Sequence, residues 1–309
     1  MPLRTRALVL ALTSLGAVAA AGDKTPPPPV FTAGTEVVNL TITVRDDGGR
    51  LVSDLSPGDF AIYEDGRPQK VQLFATATKP GQDDALALDL GLLLDTSESM
   101  AREIKLTQEA ALRFLEAIPR ARDLLTVFFD QDIRISRYDS EHQQGLFERI
   151  VDARASGNTA LYDAIAVYLS RVQDSAGRKV LVLLTDGEDS TSALSLSEVV
   201  TLVRSSSVTI YTIAFPGEYD FGSSRALSAR SFLRHLADLT GGNVFTPVGS
   251  KDLPAIYDRI LDELSAQYVL GFVSDNHDRN GRYRKLRVEL SQKELRVRHR
   301  PGYYGPEGR

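Results

Sequence analysis

Ala85-Leu86-Ala87-Leu88-Asp89-Leu90-Gly91-Leu92-Leu93-Leu94-Asp95-Thr96-Ser97-Glu98-Ser99 is the stretch on which the fold turns. From Leu86 to Leu94 the run is nearly unbroken in apolar residues and stops at Asp95. A strand buried on one face alternates apolar and polar residues; a strand buried on both faces does not. Strands of the second kind belong to parallel sheets covered by helices on each side, so helices and further apolar strands are expected downstream.

They follow in alternation. Ile104, Leu106, Ala110, Phe114, Leu115 and Ile118 recur at helical spacing over residues 103–118, and Leu124 to Phe129 is a second apolar strand. Ile133 and Ile135 suit a short edge strand. Ala160 to Val172 is helical in pattern, Val180 to Leu184 is a third buried strand, and Ser195 to Val203 is a helix. Val208 to Phe215 is another strand, and the helix Phe232 to Leu239 is ended by Gly241-Gly242. Val244 to Thr246 and the helix Leu253 to Leu264 close the series. This order predicts an α/β domain over residues 84–265, a doubly wound and mostly parallel sheet.

On either side the period drops to two. Val38, Leu40, Ile42 and Val44 alternate with polar residues, then Phe60 and Ile62, a turn at Glu64-Asp65-Gly66, and Val71 and Leu73. Past the α/β region come Tyr268, Leu270 and Phe272, then Leu286, Val288 and Leu290, then Leu295 and Val297. About three strands with one apolar face are unstable alone. The economical expectation is one small β-sandwich formed by the N-terminal segment 35–80 and the C-terminal segment 266–304, with the α/β domain inserted between them.

Arg4 and Arg6 precede an apolar run, Ala7 to Ala20, with a small-residue cleavage pattern at Ala19-Ala20-Ala21. Residues 1–21 therefore read as a signal peptide, since the run is shorter than the ~20 residues that span a bilayer. Pro26 to Pro29 makes 22–34 a stiff extended linker. The expected destination is the periplasm or the exterior, with no transmembrane segment in the mature chain. Cysteine is absent, which excludes disulfides, thiolate zinc sites and a thiol nucleophile. A net charge of -5 points to no nucleic acid or anionic lipid, and the Arg-rich stretch from Arg279 to Arg300 alternates with apolar residues, as the solvated face of a hairpin would.

The candidate chemistry lies where the first buried strand stops. Asp95, Ser97 and Ser99 place a carboxylate and two hydroxyls, spaced by two, at the strand end where open α/β sheets bind ligands. Gly157-Asn158-Thr159 precedes one helix and Thr185-Asp186-Gly187 ends another strand, and the same topology brings both to that rim. Hard cations such as magnesium take oxygen ligands of this kind. The serines could instead cap the helix that follows, and the aspartates could close turns.

These residues resemble the metal-ion-dependent adhesion site of von Willebrand factor A domains and integrin inserted domains. The resemblance implies that Asp95, Ser97, Ser99, Thr159 and Asp186 hold a divalent cation, Mg2+ first with Mn2+ or Ca2+ as substitutes, partly through water. Asp59-Phe60-Ala61-Ile62-Tyr63-Glu64-Asp65-Gly66, Tyr268-Val269-Leu270-Gly271-Phe272 and Arg300-Pro301-Gly302-Tyr303-Tyr304 are similar to the exported bacterial subgroup of that family common in acidobacteria. In such a site few anions touch the ion, so a carboxylate from a partner can complete its shell. Glu98, Glu188 and Asp189 add negative charge nearby and should oppose an acidic partner.

His142, His235, His277 and His299 show no metal-ligand spacing, and no nucleophile elbow, phosphate loop or dinucleotide motif is present. The sequence therefore predicts no enzyme but an exported, metal-dependent adhesion module for a protein partner. The rival expectation is a structural exported domain in which the metal only stabilises loops.

Overall fold

A computed structural model of the chain describes residues 37–77, 88–117, 123–138, 144–172, 178–216 and 223–308. The expected signal peptide and proline-rich linker lie outside them.

The chain opens with four strands, β1 (Val37–Arg45), β2 (Phe60–Glu64), β3 (Arg67–Gln69) and β4 (Leu73–Thr76). The α/β part then runs β5 (Leu88–Asp95), α1 (Ile104–Ala117), β6 (Asp123–Phe129), β7 (Ile133–Tyr138), α2 (Gln144–Asp152), α3 (Leu161–Val172) and β8 (Arg178–Thr185). It continues through α4 (Leu196–Ser205), β9 (Thr209–Ala214), α5 (Ser224–Thr240), β10 (Asn243–Phe245) and α6 (Leu253–Ser265). Four more strands end the chain: β11 (Tyr268–Val273), β12 (Tyr283–Leu290), β13 (Arg296–Arg298) and β14 (Gly302–Tyr304).

Six strands form the central sheet in the order β10-β9-β8-β5-β6-β7, parallel except for the antiparallel edge strand β7. Period-two geometry divides β5 between two cores. Leu88, Leu90, Leu92 and Leu94 pack with Phe114 of α1 and Ile256 and Ile260 of α6, while Leu93 joins Leu161, Ile165 and Tyr168 of α3 on the other face. Gly91 shares that second face, where a Cβ would sit 2.1 Å from the Tyr168 ring. The chain leaves β5 toward one face and β8 toward the other, so a crevice opens at the carboxyl ends of these adjacent strands.

Both ends of the chain contribute to each of two further sheets, ordered β13-β1-β11-β4 and β14-β12-β2-β3. Antiparallel register sets Leu40 opposite Leu270, Ile42 opposite Tyr268 and Ile62 opposite Val288. The two inner faces share one core, in which the Phe60 and Tyr268 rings stand 5.1 Å apart. The inserted arrangement expected from the alternation is therefore present, with one strand more at each end than the periodicity suggested. Those extra strands, β3 and β14, are three residues each and too short to display a period.

Two helical features were also illegible. Helix α2 buries only Leu146 and Ile150. Helix α5 starts at Ser224, well before the apolar run at Phe232, because Ser223 caps it by accepting the Ala226 N–H at 3.2 Å while its first turns bury little.

Candidate metal centre

Asp95 ends β5 and is fully buried. Its Oδ1 accepts the Ser97 N–H at 3.0 Å and the Ser97 hydroxyl at 2.6 Å, and its Oδ2 accepts the Thr185 hydroxyl at 2.6 Å. Ser97 is thus turned onto the carboxylate, and its side chain makes no capping bond to the backbone of the helical turn that follows. The Ser97 and Ser99 hydroxyls lie 3.1 Å apart on the same rim.

Asp186 follows β8. Its Oδ1 accepts the Glu188 N–H at 3.0 Å, whereas its buried Oδ2 has no hydrogen-bond partner among the described residues. Burial first, and then the negative charge of Asp186, push the Asp95 carboxyl up to about 7. A buried Asp95 carboxyl raised by a neighbouring carboxylate whose own buried oxygen is orphaned makes an arrangement that a cation stabilises. The donors are hard oxygens from two carboxylates and neutral hydroxyls, and no cluster of three or more His, Asp or Glu side chains able to hold a metal occurs among the described residues. The residues fit a divalent ion that takes oxygen ligands and keeps some water.

Thr159 is tied by its backbone to the loop that follows β8. Its N–H donates to the Ser190 hydroxyl at 2.9 Å, and its carbonyl accepts the N–H groups of Ser190 and Thr191. Its hydroxyl makes no hydrogen bond to the other four residues. The loops carrying all five are nevertheless laced together. Glu98 N–H donates to the Gly157 carbonyl at 3.0 Å, and Ser156 N–H to the Thr96 carbonyl at 2.9 Å. Gly187 makes the third loop possible: its φ is 86°, and a Cβ there would lie 2.8 Å from Leu233.

The structure also adds residues that the pattern did not single out. Thr185 holds Asp95 and accepts the Gly187 N–H at 3.0 Å; the one signal for it was a threonine ending an aliphatic strand. Asp130, nine-tenths buried, accepts two guanidinium N–H groups from Arg134 at 3.2 and 2.6 Å, and its carbonyl takes the Ala160 N–H. That contact fixes the base of the Thr159 loop, and nothing local in the sequence announces it.

The crowding of acid around the site is smaller than composition implied. Asp189 is committed to the Tyr162 N–H at 3.1 Å and the Ser192 hydroxyl, and Glu188 faces Arg225 at 3.1 Å. Glu98 is the one of the three that is exposed.

The von Willebrand factor type A domain model matches residues 89–259. The human von Willebrand factor A domain-containing protein 3A is 29% identical over 198 residues, covering 61% of this chain; the match spans only 16% of that protein. Among solved structures, a von Willebrand factor type A protein from Catenulispora acidiphila superposes with a TM-score of 0.50 at 12% identity, over 90% of this chain and 75% of that one. A pilus adhesin from Lactobacillus rhamnosus GG gives a TM-score of 0.48 at 9% identity, over 82% and 49%. At 12% identity the likeness to the Catenulispora acidiphila protein is one of fold alone.

Proposed function

The chain belongs to the von Willebrand factor type A family, and from that premise we propose that it is an exported, non-enzymatic module that grips a protein partner through a divalent cation. In this reading Asp95, Ser97, Ser99, Thr159 and Asp186 hold the ion, with Mg2+ the natural occupant and Mn2+ or Ca2+ able to replace it. The observation that carries it is the buried, unpartnered Oδ2 of Asp186 beside a fully buried Asp95.

When bound, the ion supplies an electrophilic position that a partner's carboxylate can complete. The protein's own groups prepare that position. Thr185 and Ser97 fix the Asp95 carboxylate from both sides, and Glu188 N–H anchors Asp186 by one oxygen. Pairing of Glu188 with Arg225 lowers the local repulsion that an acidic partner would meet. Family membership supports protein binding, and the resemblance of residues 1–21 to a signal peptide supports export. No helix among the described residues is long and apolar enough to cross a membrane. The divisions at 22–34, 35–80, 84–265 and 266–304 complete this reading of the chain.

Calorimetric titration with Mg2+, Mn2+ and Ca2+ tests the site, and heats are expected for the wild type that vanish in Asp95→Ala and Asp186→Ala. No uptake of any of the three ions would refute it. Binding to envelope proteins of the source cell should then be abolished by chelator. Binding that persists through chelation and through both substitutions would assign the ion to loop stabilisation alone.

A further inference from the structure

Helix α4 ends where β9 begins, and β9 runs parallel to β5, so the C-terminal ends of α4 and α5 lie at the opposite end of the sheet from Asp95. There a groove of about 530 Å³ opens between these helix ends and the sheet that carries β2 and β12. That volume lies within the range of small-molecule sites, which favour seams between structural layers.

Leu239, Leu286 and Pro301 give the groove an apolar lining, and the half-buried rings of Tyr63 and Tyr283 add to it. Three cations border this lining against one carboxylate. The Arg204 guanidinium sits 5.5 Å over the Tyr283 ring and that of Arg287 sits 4.2 Å over the Tyr63 ring. Lys285 is exposed and makes no ion pair among the described residues. The carboxylate, Asp65, is occupied in accepting the Lys285 N–H at 2.9 Å. Arg287 also pairs with Glu289, so with Asp65 counted the groove keeps an excess of one positive charge, shared between Arg204 and Lys285.

We propose that this groove binds an amphipathic organic anion, with its flat apolar body between Tyr63 and Tyr283 and its carboxylate, sulfonate or phosphate on Arg204 and Lys285. Part of the Arg-rich hairpin, which sequence alone assigns to a solvated face, thereby acquires a ligand. The site is independent of the cation at the other end of the sheet.

The probe is 1-anilinonaphthalene-8-sulfonate, titrated into the full chain by fluorescence, beside N-phenyl-1-naphthylamine, which has the same body without the charge. The expected result is saturable binding at one probe per chain, with the neutral analogue about tenfold weaker. Arg204→Gln should weaken the anion by about fivefold, the loss of roughly one charge-assisted contact, and Lys285→Glu by more, because it also adds a repelling negative charge. Lys285 is exposed, so its variant keeps the fold even if that of Arg204 does not. Equal affinity for both probes, or unchanged affinity in Lys285→Glu, would overturn the proposal. Chelator should leave the titration unchanged, so failure here and failure of the metal reading are separate outcomes.

Discussion

Glu263→Gln probes the contact that fastens the inserted domain to the sandwich. Glu263 is fully buried on α6, and its Oε1 accepts Arg45 at 2.7 Å and Asn243 at 3.3 Å while its Oε2 accepts Arg298. Arg45 lies on β1 and Arg298 on β13, so one carboxylate on the α/β domain clamps two strands of the sandwich. Breaking a buried ion pair by removing one partner costs about 3–5 kcal/mol. Here the two guanidinium side chains are 30% and 31% exposed and can partly rehydrate, which brings the expected loss to about 2–3 kcal/mol. Urea unfolding at neutral pH, followed by circular dichroism, reads that loss as a lower midpoint at unchanged slope. A double-mutant cycle with Arg298→Met should return a coupling of at least about 1 kcal/mol, because the two side chains share one contact. Replacing Glu263, Arg45 and Arg298 together by apolar residues should recover most of the stability. A loss below about 0.5 kcal/mol in Glu263→Gln, the range of an ordinary surface substitution, would refute the claim that this network joins the two parts.

Gly91→Ala should cost about 3 kcal/mol in a thermal melt, because the new methyl meets the ring of fully buried Tyr168 at 2.1 Å and that ring has nowhere to move; a melting point within 2 °C or so of wild type would contradict the packing. Asp186→Asn should melt no lower than wild type in chelator, since it removes a like charge beside Asp95, yet it should lose the Mg2+-dependent rise. That rise is about 2.7 kcal/mol for the wild type at a hundredfold excess over Kd, and the opposite signs separate a ligand from a structural carboxylate. His299 Nε2 accepts the Val288 N–H at 3.3 Å, which leaves the ring proton on Nδ1, 2.6 Å from the Arg300 carbonyl. Burial holds its pKa below the ordinary 6.5, with the Arg300 charge acting in the same direction. The unfolded chain therefore binds a proton first, so stability conferred by neutral His299 is lost as pH falls from about 6.5 through the folded value. The urea midpoint of wild type minus that of His299→Gln should shrink across this window, and a difference independent of pH would exclude the linkage.

What the sequence determined alone was whatever local periodicity encodes. The apolar run ending at Asp95 implied a strand covered on both faces, and the alternation from Val38 to Val44 implied one covered on a single face, because side-chain direction follows directly from backbone repeat. Asp95, Ser97 and Ser99 stood out in the sequence because a carboxylate closes the apolar run and two hydroxyls follow it at a spacing of two. Tertiary structure decided what separate segments do to one another. Only folding sets Thr185 against Asp95, leaves one oxygen of Asp186 unpartnered, commits Asp189 and Glu188 to neighbours that composition could not foresee, and closes Glu263 over arginines more than two hundred residues before it and about thirty-five after. Burial and charge are properties of these long-range juxtapositions, and a residue's own neighbours in the chain do not report them.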